Sequence, residues 1–365
     1  MLALEARLPR IRRAPALAVA LIGPGRVGRA LLDRIARQAP ADWALQAIID
    51  SRWTYRPSHD DGCWTTDARN LTKRQPHELA RLPELLCHRA SDRQVIIDTT
   101  ASQEVAACHG QWVRQGIDLV SANKLALADD GPDWPLLIEA VREGRYGASA
   151  TVGAGLPVID SLNRLHAAGE TVTEIRAVLS GSLSLICERI DNGWAPAQAV
   201  QEAGMRGLSE PDPRSDLSGL DVARKLVILA RLAGVPLQLS SIRQQSLVPE
   251  PLKGIELSEI VSRLREFDAD ILAAFEPLGR DDGDSRVLYQ ARLESNGIGR
   301  AGLQSVNRQD PMARISDVDN RIEIRSDCYE SSPLVIEGPG AGVEVTALAL
   351  WSDLVRISRC EKSGR

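Results

Sequence analysis

The chain is short of lysine, of cysteine and of aromatic residues, and each shortage narrows what it can be. Among 365 residues there are 44 basic side chains, of which only five are lysine: Lys73, Lys124, Lys225, Lys253 and Lys362. Acidic side chains number 49, so the formal net charge is −5 and no global basic field exists to hold nucleic acid or an anionic membrane. No apolar run approaches the ~18 residues that span a bilayer, so no membrane partner is expected. The six cysteines (Cys63, Cys87, Cys108, Cys187, Cys328, Cys360) include no C-x-x-C pair, and the five histidines (His59, His77, His88, His109, His166) have no ligand spacing. A zinc site and a disulfide framework are therefore not expected, and the cysteines read as reduced. Residues 1–15 read as an N-terminal extension without the long apolar segment of a secretory signal. Glu5 and the lack of Ser and Thr there weigh against a transit peptide, which leaves the cytoplasm as the expected compartment.

What is present is ordinary for a globular chain, 44% hydrophobic and 25% charged, and the length suits two domains of ~150 residues each. The first half alternates short apolar runs, Ala16–Ile22, Leu45–Ile49, Val95–Ile97 and Ile117–Val120, with helical stretches such as Val27–Ala36. Apolar strands bounded by turn signals with helices between them predict βαβ units and a parallel sheet. Arg52 to His77 is polar and proline-bearing and reads as an irregular excursion. The character changes near residue 150. Beyond it the spacing predicts helices over Pro157–His166, Ser182–Asp191, Gly219–Ala233 and Thr346–Ile357, and strands over Thr173–Leu179, Val287–Leu293, Arg321–Arg325 and Leu334–Ile336. The fold class is therefore α/β, a Rossmann-type parallel-sheet domain followed by an α+β domain.

Gly23-Pro24-Gly25-Arg26-Val27-Gly28 is a G-x-G-x-x-G that follows a strand and opens a helix. Gly23 permits the tight turn, Gly25 lets backbone approach a pyrophosphate, and Gly28 lets helix pack on strand. The first N–H groups of the helix, with Arg26 and Val27, offer positive potential to the phosphates. The next strand ends in Asp50-Ser51-Arg52. Asp50 suits a ribose 2′-hydroxyl and so NAD(H), whereas Arg52 suits a 2′-phosphate and so NADP(H); the tip carries both signals.

The densest polar cluster runs from Ser209 through Glu210, Asp212 and Asp216 to Asp221 and Lys225. Pro211 and Pro213 stiffen its first part, so that Glu210 and Asp212 project from a fixed loop. Asp221 and Lys225 are four residues apart in the following helix and share a face, while Arg224 points elsewhere. Two readings of Asp221 stand: partner of Lys225, or cap of its helix with Ser218 in an S-x-x-D box.

With these residues in view, the chain resembles homoserine dehydrogenases, and in particular the dehydrogenase half of bifunctional aspartokinase–homoserine dehydrogenases. The likeness is carried in order by Ser121-Ala122-Asn123-Lys124, Val152-Gly153-Ala154-Gly155-Leu156-Pro157, Leu179-Ser180-Gly181-Ser182-Leu183, Glu210-Pro211-Asp212-Pro213 through Lys225, and Gly338-Pro339-Gly340-Ala341-Gly342. It implies reversible NAD(P)H-dependent reduction of L-aspartate 4-semialdehyde to L-homoserine, with NADP(H) preferred and NAD(H) the alternative. It implies Lys225 as general acid/base with Lys124 beside cofactor and substrate. Glu210, Asp221, Gly181 and Ser182 would contact substrate; Thr99, Thr100, Ser121, Gly340 and Gly342 would contact cofactor. It further implies a monovalent cation at Ser149, Val152, Ala154 and Leu156. The cofactor domain would be 16–148 completed by 338–365, with a catalytic and dimerisation domain over 149–337. A homodimer is expected, its interface built from Tyr146–Leu156 and roughly 285–335. No kinase or ACT domain is expected, and hence no threonine effector site.

Departures from the family pattern are Leu208 and Leu185 where tyrosines are common, and Ser149 where an acidic residue is usual. They leave two further readings: a catalytically weak homologue serving as a cofactor-binding regulatory partner, or a dehydrogenase of a related amino-aldehyde. A lysine tuned by its surroundings can move a proton near neutral pH, which arginine cannot, so the scarcity of lysine directs attention to Lys124 and Lys225.

Overall fold

The first apolar run becomes β1 (Leu17–Ile22), buried on both faces, and that double burial sets the architecture around it. The computed structural model describes residues 16–56, 73–76, 79–87, 93–278, 284–315 and 318–360. The N-terminal extension, His59, His77, His88, Cys63 and Lys362 lie outside the described residues.

A seven-stranded sheet contains β1, β2 (Trp43–Ile49), β3 (Trp53–Arg56), β4 (Lys73–Pro76), β5 (Arg93–Asp98), β6 (Asp118–Ser121) and β7 (Tyr146–Gly147), in the order β4-β3-β2-β1-β5-β6-β7. From β2 to β7 the pairings are parallel. β3 and β4 add an antiparallel pair at the β2 edge. The polar stretch after Arg52 is thus not wholly irregular: Trp53, Thr54 and Tyr55 favour extended backbone and extend the sheet past Asp50.

Side chains alternate along β1 in the period-two manner of a strand. Leu17, Val19 and Leu21 enter a core with the helix Arg26–Gln38 and the helix Val343–Arg359, whereas Ala18, Ala20 and Ile22 face the other side. Leu31, Leu32 and Ile35, with Gly28, form the buried stripe of the first helix at three- and four-residue spacing. The last helix is tied down by buried Arg93, which is 2.5 Å from Asp118 and donates to the carbonyls of Ile357 and Cys360.

The second sheet is formed by β8 (Val172–Val178), β9 (Arg243–Gln244), β10 (Ser285–Leu293), β11 (Gly299–Asn307), β12 (Asp319–Ser326) and β13 (Leu334–Pro339), in the order β13-β12-β8-β10-β11-β9. Apart from the short β11–β9 pair it is antiparallel. The helices Gly181–Asp191 and Leu220–Leu232 pack against it, and their core is continuous with the Ala18 face of the first sheet. The two sheets are therefore welded by shared apolar side chains.

The helix Leu220–Leu232 starts at Gly219, whose φ of 70° belongs to the left-handed region. A Cβ at this position would lie 1.9 Å from the hydroxyl oxygen of Tyr289, which donates to the Gln245 carbonyl at 2.6 Å. Gly219→Ala is accordingly expected to lower unfolding free energy by about 2 kcal/mol or more, from backbone strain plus overpacking. Equilibrium urea unfolding measures it, and a loss under about 0.5 kcal/mol, within the range of ordinary surface changes, would refute the account.

Candidate active site

The order of the first sheet reverses at β1, with β2 on one side and β5 on the other, and ligands of open α/β sheets bind outside the strand C-termini at such a point. The glycine-rich turn and Thr99-Thr100 both leave the sheet here. Gly23 has φ 88° and donates to the Ile49 carbonyl. At Gly28 a Cβ would lie 2.4 Å from the Gly23 carbonyl oxygen, so this glycine is required for helix-on-turn packing. Gly25 is exposed and a Cβ there would meet nothing within 4 Å. No side chain caps the helix that follows, and its first turn has no acidic residue. An open backbone cradle with uncapped N–H groups fits a dinucleotide pyrophosphate. Arg26 is exposed beside it, and Val27 is half-buried against the core below.

Thr99 holds the turn from within, donating its hydroxyl to the carbonyls of Ile22 and Gly23 at 3.0 and 2.6 Å. The Thr100 hydroxyl accepts the Ser102 N–H at 3.1 Å. Ser121 is fully buried and its hydroxyl serves the loop, accepting the Asn123 N–H at 3.0 Å. It therefore shapes the loop rather than facing a ligand, which differs from the expected cofactor contact. Asp50 also works locally: one carboxylate oxygen accepts the N–H groups of Arg52 and Trp53, and the other accepts the Tyr55 hydroxyl at 3.0 Å. Arg52 is exposed at that tip.

Beneath the loop lies a buried polar chain that sequence reasoning missed. Asp98 accepts from Thr100 N–H, from Asn123 Nδ2 at 3.0 Å and from His109 Nε2 at 3.1 Å, and His109 Nδ1 lies 2.9 Å from the Tyr146 hydroxyl. Burial pushes the Tyr146 hydroxyl far up, so it stays protonated inside this chain. The available signal was positional: His109 falls on the buried stripe of its helix with Val105, Ala106 and Val113. Asn123 Oδ1 in turn accepts the Leu125 N–H at 3.1 Å and so fixes the turn that begins at Lys124.

Lys124 and Lys225 converge on one carboxylate. Lys225 Nζ is 2.7 Å from Asp221 Oδ2, and Lys124 Nζ is 3.2 Å from Asp221 Oδ1. Lys225 also donates to the Leu179 carbonyl at 2.6 Å. Its side chain is 11% exposed, against 30% for Lys124 and 48% for Asp221, so the carboxylate is the most accessible of the three. Partial burial works against the charged form of Asp221, but the ammonium groups of Lys225 and Lys124 outweigh it and hold the carboxyl well below the usual range. The capping alternative for Asp221 is not what the structure contains: Gly219 occupies the cap position, and the Ser218 hydroxyl donates to Ser215 O and accepts the Leu220 N–H.

The remaining expected substrate residues divide. Gly181 and Ser182 open the helix Gly181–Asp191, capped by Ser180, whose hydroxyl accepts the Leu183 N–H. Ser182 donates to Asp216 Oδ1 at 2.7 Å, and the Glu210 N–H donates to Asp216 Oδ2 at 2.9 Å. Asp216, named in the cluster but given no role, is thus the strut that joins the Ser182 helix to the Glu210 loop. Burial pushes its carboxyl up, opposed by those two hydrogen bonds and reinforced by the charges of Glu210 and Asp221. Glu210 itself is exposed. Asp212, expected to project, instead caps the helix Pro213–Leu217 and grips Arg214 at 2.8–3.1 Å.

The residues expected around a cation make these contacts. The Ser149 hydroxyl and N–H both donate to Asp353 at 2.9 Å, and the Leu156 carbonyl accepts the Val158 N–H at 2.8 Å. Ala154, with φ 52°, is the one non-glycine positive φ among the described residues, a strained turn facing the last helix, where a Cβ on Gly155 would lie 3.1 Å from Val345 O. At Gly340 a Cβ would lie 2.0 Å from the Asn320 side chain, so packing alone demands glycine there, whereas Gly342 (φ 134°) is exposed at the helix start. The two departures Leu185 and Leu208 are absorbed by the apolar core.

A family model described as homoserine dehydrogenase matches residues 157–355, and one described as the NAD-binding domain of homoserine dehydrogenase matches 23–146. A homoserine dehydrogenase of Emericella nidulans is 34% identical, covering 92% of this chain and 97% of the relative. A chloroplastic bifunctional aspartokinase/homoserine dehydrogenase 1 of Zea mays is 35% identical over 94% of this chain, which spans 38% of that relative's length. A hyperthermophilic archaeal homoserine dehydrogenase solved in complex with NADPH superimposes with a TM-score of 0.68 at 21% identity, over 93% of this chain and 96% of that one. The chain belongs to the homoserine dehydrogenase family of NAD(P)-dependent oxidoreductases.

Proposed function

We propose that this chain interconverts L-aspartate 4-semialdehyde and L-homoserine, with Lys225 as the proton-transfer group, and that the observation carrying this reading is the Asp221 carboxylate shared by Lys225 and Lys124. When bound, the nicotinamide supplies or takes a hydride. The protein's part is the proton. In the reducing direction the Lys225 ammonium protonates the oxygen as alkoxide charge develops; in the oxidising direction the neutral amine takes the hydroxyl proton. Lys124, at the end of β6, stabilises the same oxygen, and Glu210 and Ser182 orient the amino-acid end. The core around Lys225 excludes water behind it. The scaffold reading that goes with this is a cofactor unit of 16–148 completed by 338–365 and a catalytic unit of 149–337 that pairs two copies in the cytoplasm.

NADP(H) is the preferred cofactor in this reading. Asp50 is engaged by its own turn and Tyr55, while exposed Arg52 suits a 2′-phosphate. Arg52→Ala is expected to weaken NADPH binding by about tenfold, the range of one charged contact, and to leave NADH binding within about twofold. Fluorescence titration with both cofactors checks it; equal losses would remove the role of Arg52.

Initial rates with the semialdehyde and NADPH, and with homoserine and NADP⁺ or NAD⁺, test the activity directly. Lys225→Ala is expected to lower kcat by about 10²–10⁴-fold, the span of general acid–base catalysis, while NADPH still binds. Full turnover in that variant would sink the role. Asp221→Asn removes the carboxylate that both ammonium groups contact, and kcat is expected to fall by about tenfold or more, the cost of misplaced groups, while NADPH still binds. An unchanged kcat would separate Asp221 from the proton-transfer step.

A further inference from the structure

Arg231 is a fully buried charge that no step above uses. Its side chain is 0% exposed, two turns beyond Lys225 on the same helix. A buried guanidinium is tolerated only when its donors are satisfied, and here the acceptors are specific. Nη1 donates to the carbonyls of Leu127 (2.7 Å) and Asp129 (3.1 Å), Nη2 to Asp130 Oδ1 (3.1 Å), and Nε to Leu237 O (3.0 Å). The guanidinium carbon lies 4.2 Å from the centre of the Trp134 ring, a stacked cation–π contact.

Leu127 and Asp129 belong to the single helical turn Leu125–Ala128 and its exit, and the cap at the front of that turn is Lys124. The turn is gripped at both ends. In front, Asn123 holds the Leu125 N–H and Asp98; behind, Arg231 takes the carbonyls. Asp130 completes the clamp by accepting the N–H groups of Leu239 and Ser240 at 2.6 and 2.9 Å, beyond the far end of the Lys225 helix. Arg142 Nη2 donates to the Arg231 carbonyl at 3.2 Å, and Arg224 lies 3.4 Å from Asp129 across the same seam.

We infer that Arg231 is a positioning residue that sets the distance between Lys124 and the Asp221–Lys225 pair. The two lysines come from different elements, one at the end of β6 and one on the helix Leu220–Leu232, and their shared carboxylate needs both elements fixed to within a fraction of an ångström. Arg231 joins those elements and touches neither substrate nor cofactor site. Lysine cannot replace it, because one ammonium cannot reach four acceptors on two segments while stacking on Trp134.

The inference rests on the two-lysine site proposed above, and its test separates the two. The measurement is the rate at which a water-soluble acylating reagent labels each lysine of the intact chain, read by peptide mass spectrometry, in the unsubstituted protein and in Arg231→Lys and Asp130→Asn. Release of Lys124 from Asp221 should raise its labelling about threefold or more in both variants, since free amine reactivity follows exposure and loss of the carboxylate partner. Lys253, on an exposed turn, should stay unchanged as the internal reference. Steady-state kinetics should show kcat down by about tenfold in Arg231→Lys, in line with the cost of misplaced groups, with the NADPH Kd within twofold. Unchanged Lys124 labelling, or a rise at every lysine together with weaker NADPH binding, would overturn the positioning role. Asp130→Asn keeps the side-chain volume but loses the charge and one of the two acceptor oxygens of the clamp, so it decides the matter if Arg231→Lys does not fold. Absent turnover in the unsubstituted chain would instead defeat the proposed activity, while the labelling still reports on Arg231.

Discussion

One carboxylate between two ammonium groups sets the demands that the rest of the structure meets. Two lysines this near each other repel, and Lys225 in addition gives up nearly all its water, a cost of several kcal/mol for an unpartnered ion. Asp221 and the Leu179 carbonyl offset that cost only at hydrogen-bond distance. Every element that contributes a group must therefore be held rigidly, and the supporting contacts are polar ones aimed at backbone. Asn123 and Arg231 hold the Lys124 turn, Asp216 ties the Ser182 helix to the Glu210 loop, and Gly219 lets the Lys225 helix begin against Tyr289.

This explains why charge is buried beneath the site at all. An apolar core alone would hold the sheets together, as the shared cluster between them does, but apolar contacts are tolerant of small shifts. A hydrogen bond loses its value over a few tenths of an ångström and over modest angles. The Tyr146–His109–Asp98–Asn123 chain and the Arg231 clamp are directional constraints placed where small errors would separate the lysines. The glycine-rich turn needs the opposite property. Gly25 is left open, so that approach there meets backbone alone.

Much of this was legible in the sequence, and the illegible part has a common cause. The parallel sheet, the dinucleotide turn and the Asp221–Lys225 spacing are local patterns, each fixed within a few residues. Lys124 was assigned by resemblance, and its contact with Asp221, 97 positions away, is not visible from spacing. Polar side chains in the cluster were harder to sort, because a carboxylate that caps a helix and one that faces a ligand share the same composition. Asp212 and Asp216 exchanged their expected prominence for that reason: the first folds back on Arg214, the second joins two segments. Asp50 and Ser121 likewise spend their oxygens on close neighbours, Asp50 on two backbone N–H groups and the Tyr55 hydroxyl, Ser121 on the Asn123 N–H.

The scarcity of lysine gains a physical sense from these contacts. Where this protein needs a fixed cation it uses arginine, with a planar fork that reaches several acceptors at once: Arg93 joins β5 to the last helix, and Arg231 joins the two lysine-bearing elements. Lys124 and Lys225 instead meet on one carboxylate, which stays ionised because their two ammonium groups hold it so. The division follows from the chemistry of the two side chains. In the reaction proposed for this site a guanidinium at position 225 could not hand over a proton, and an ammonium at position 231 would leave carbonyls unpaired inside the core.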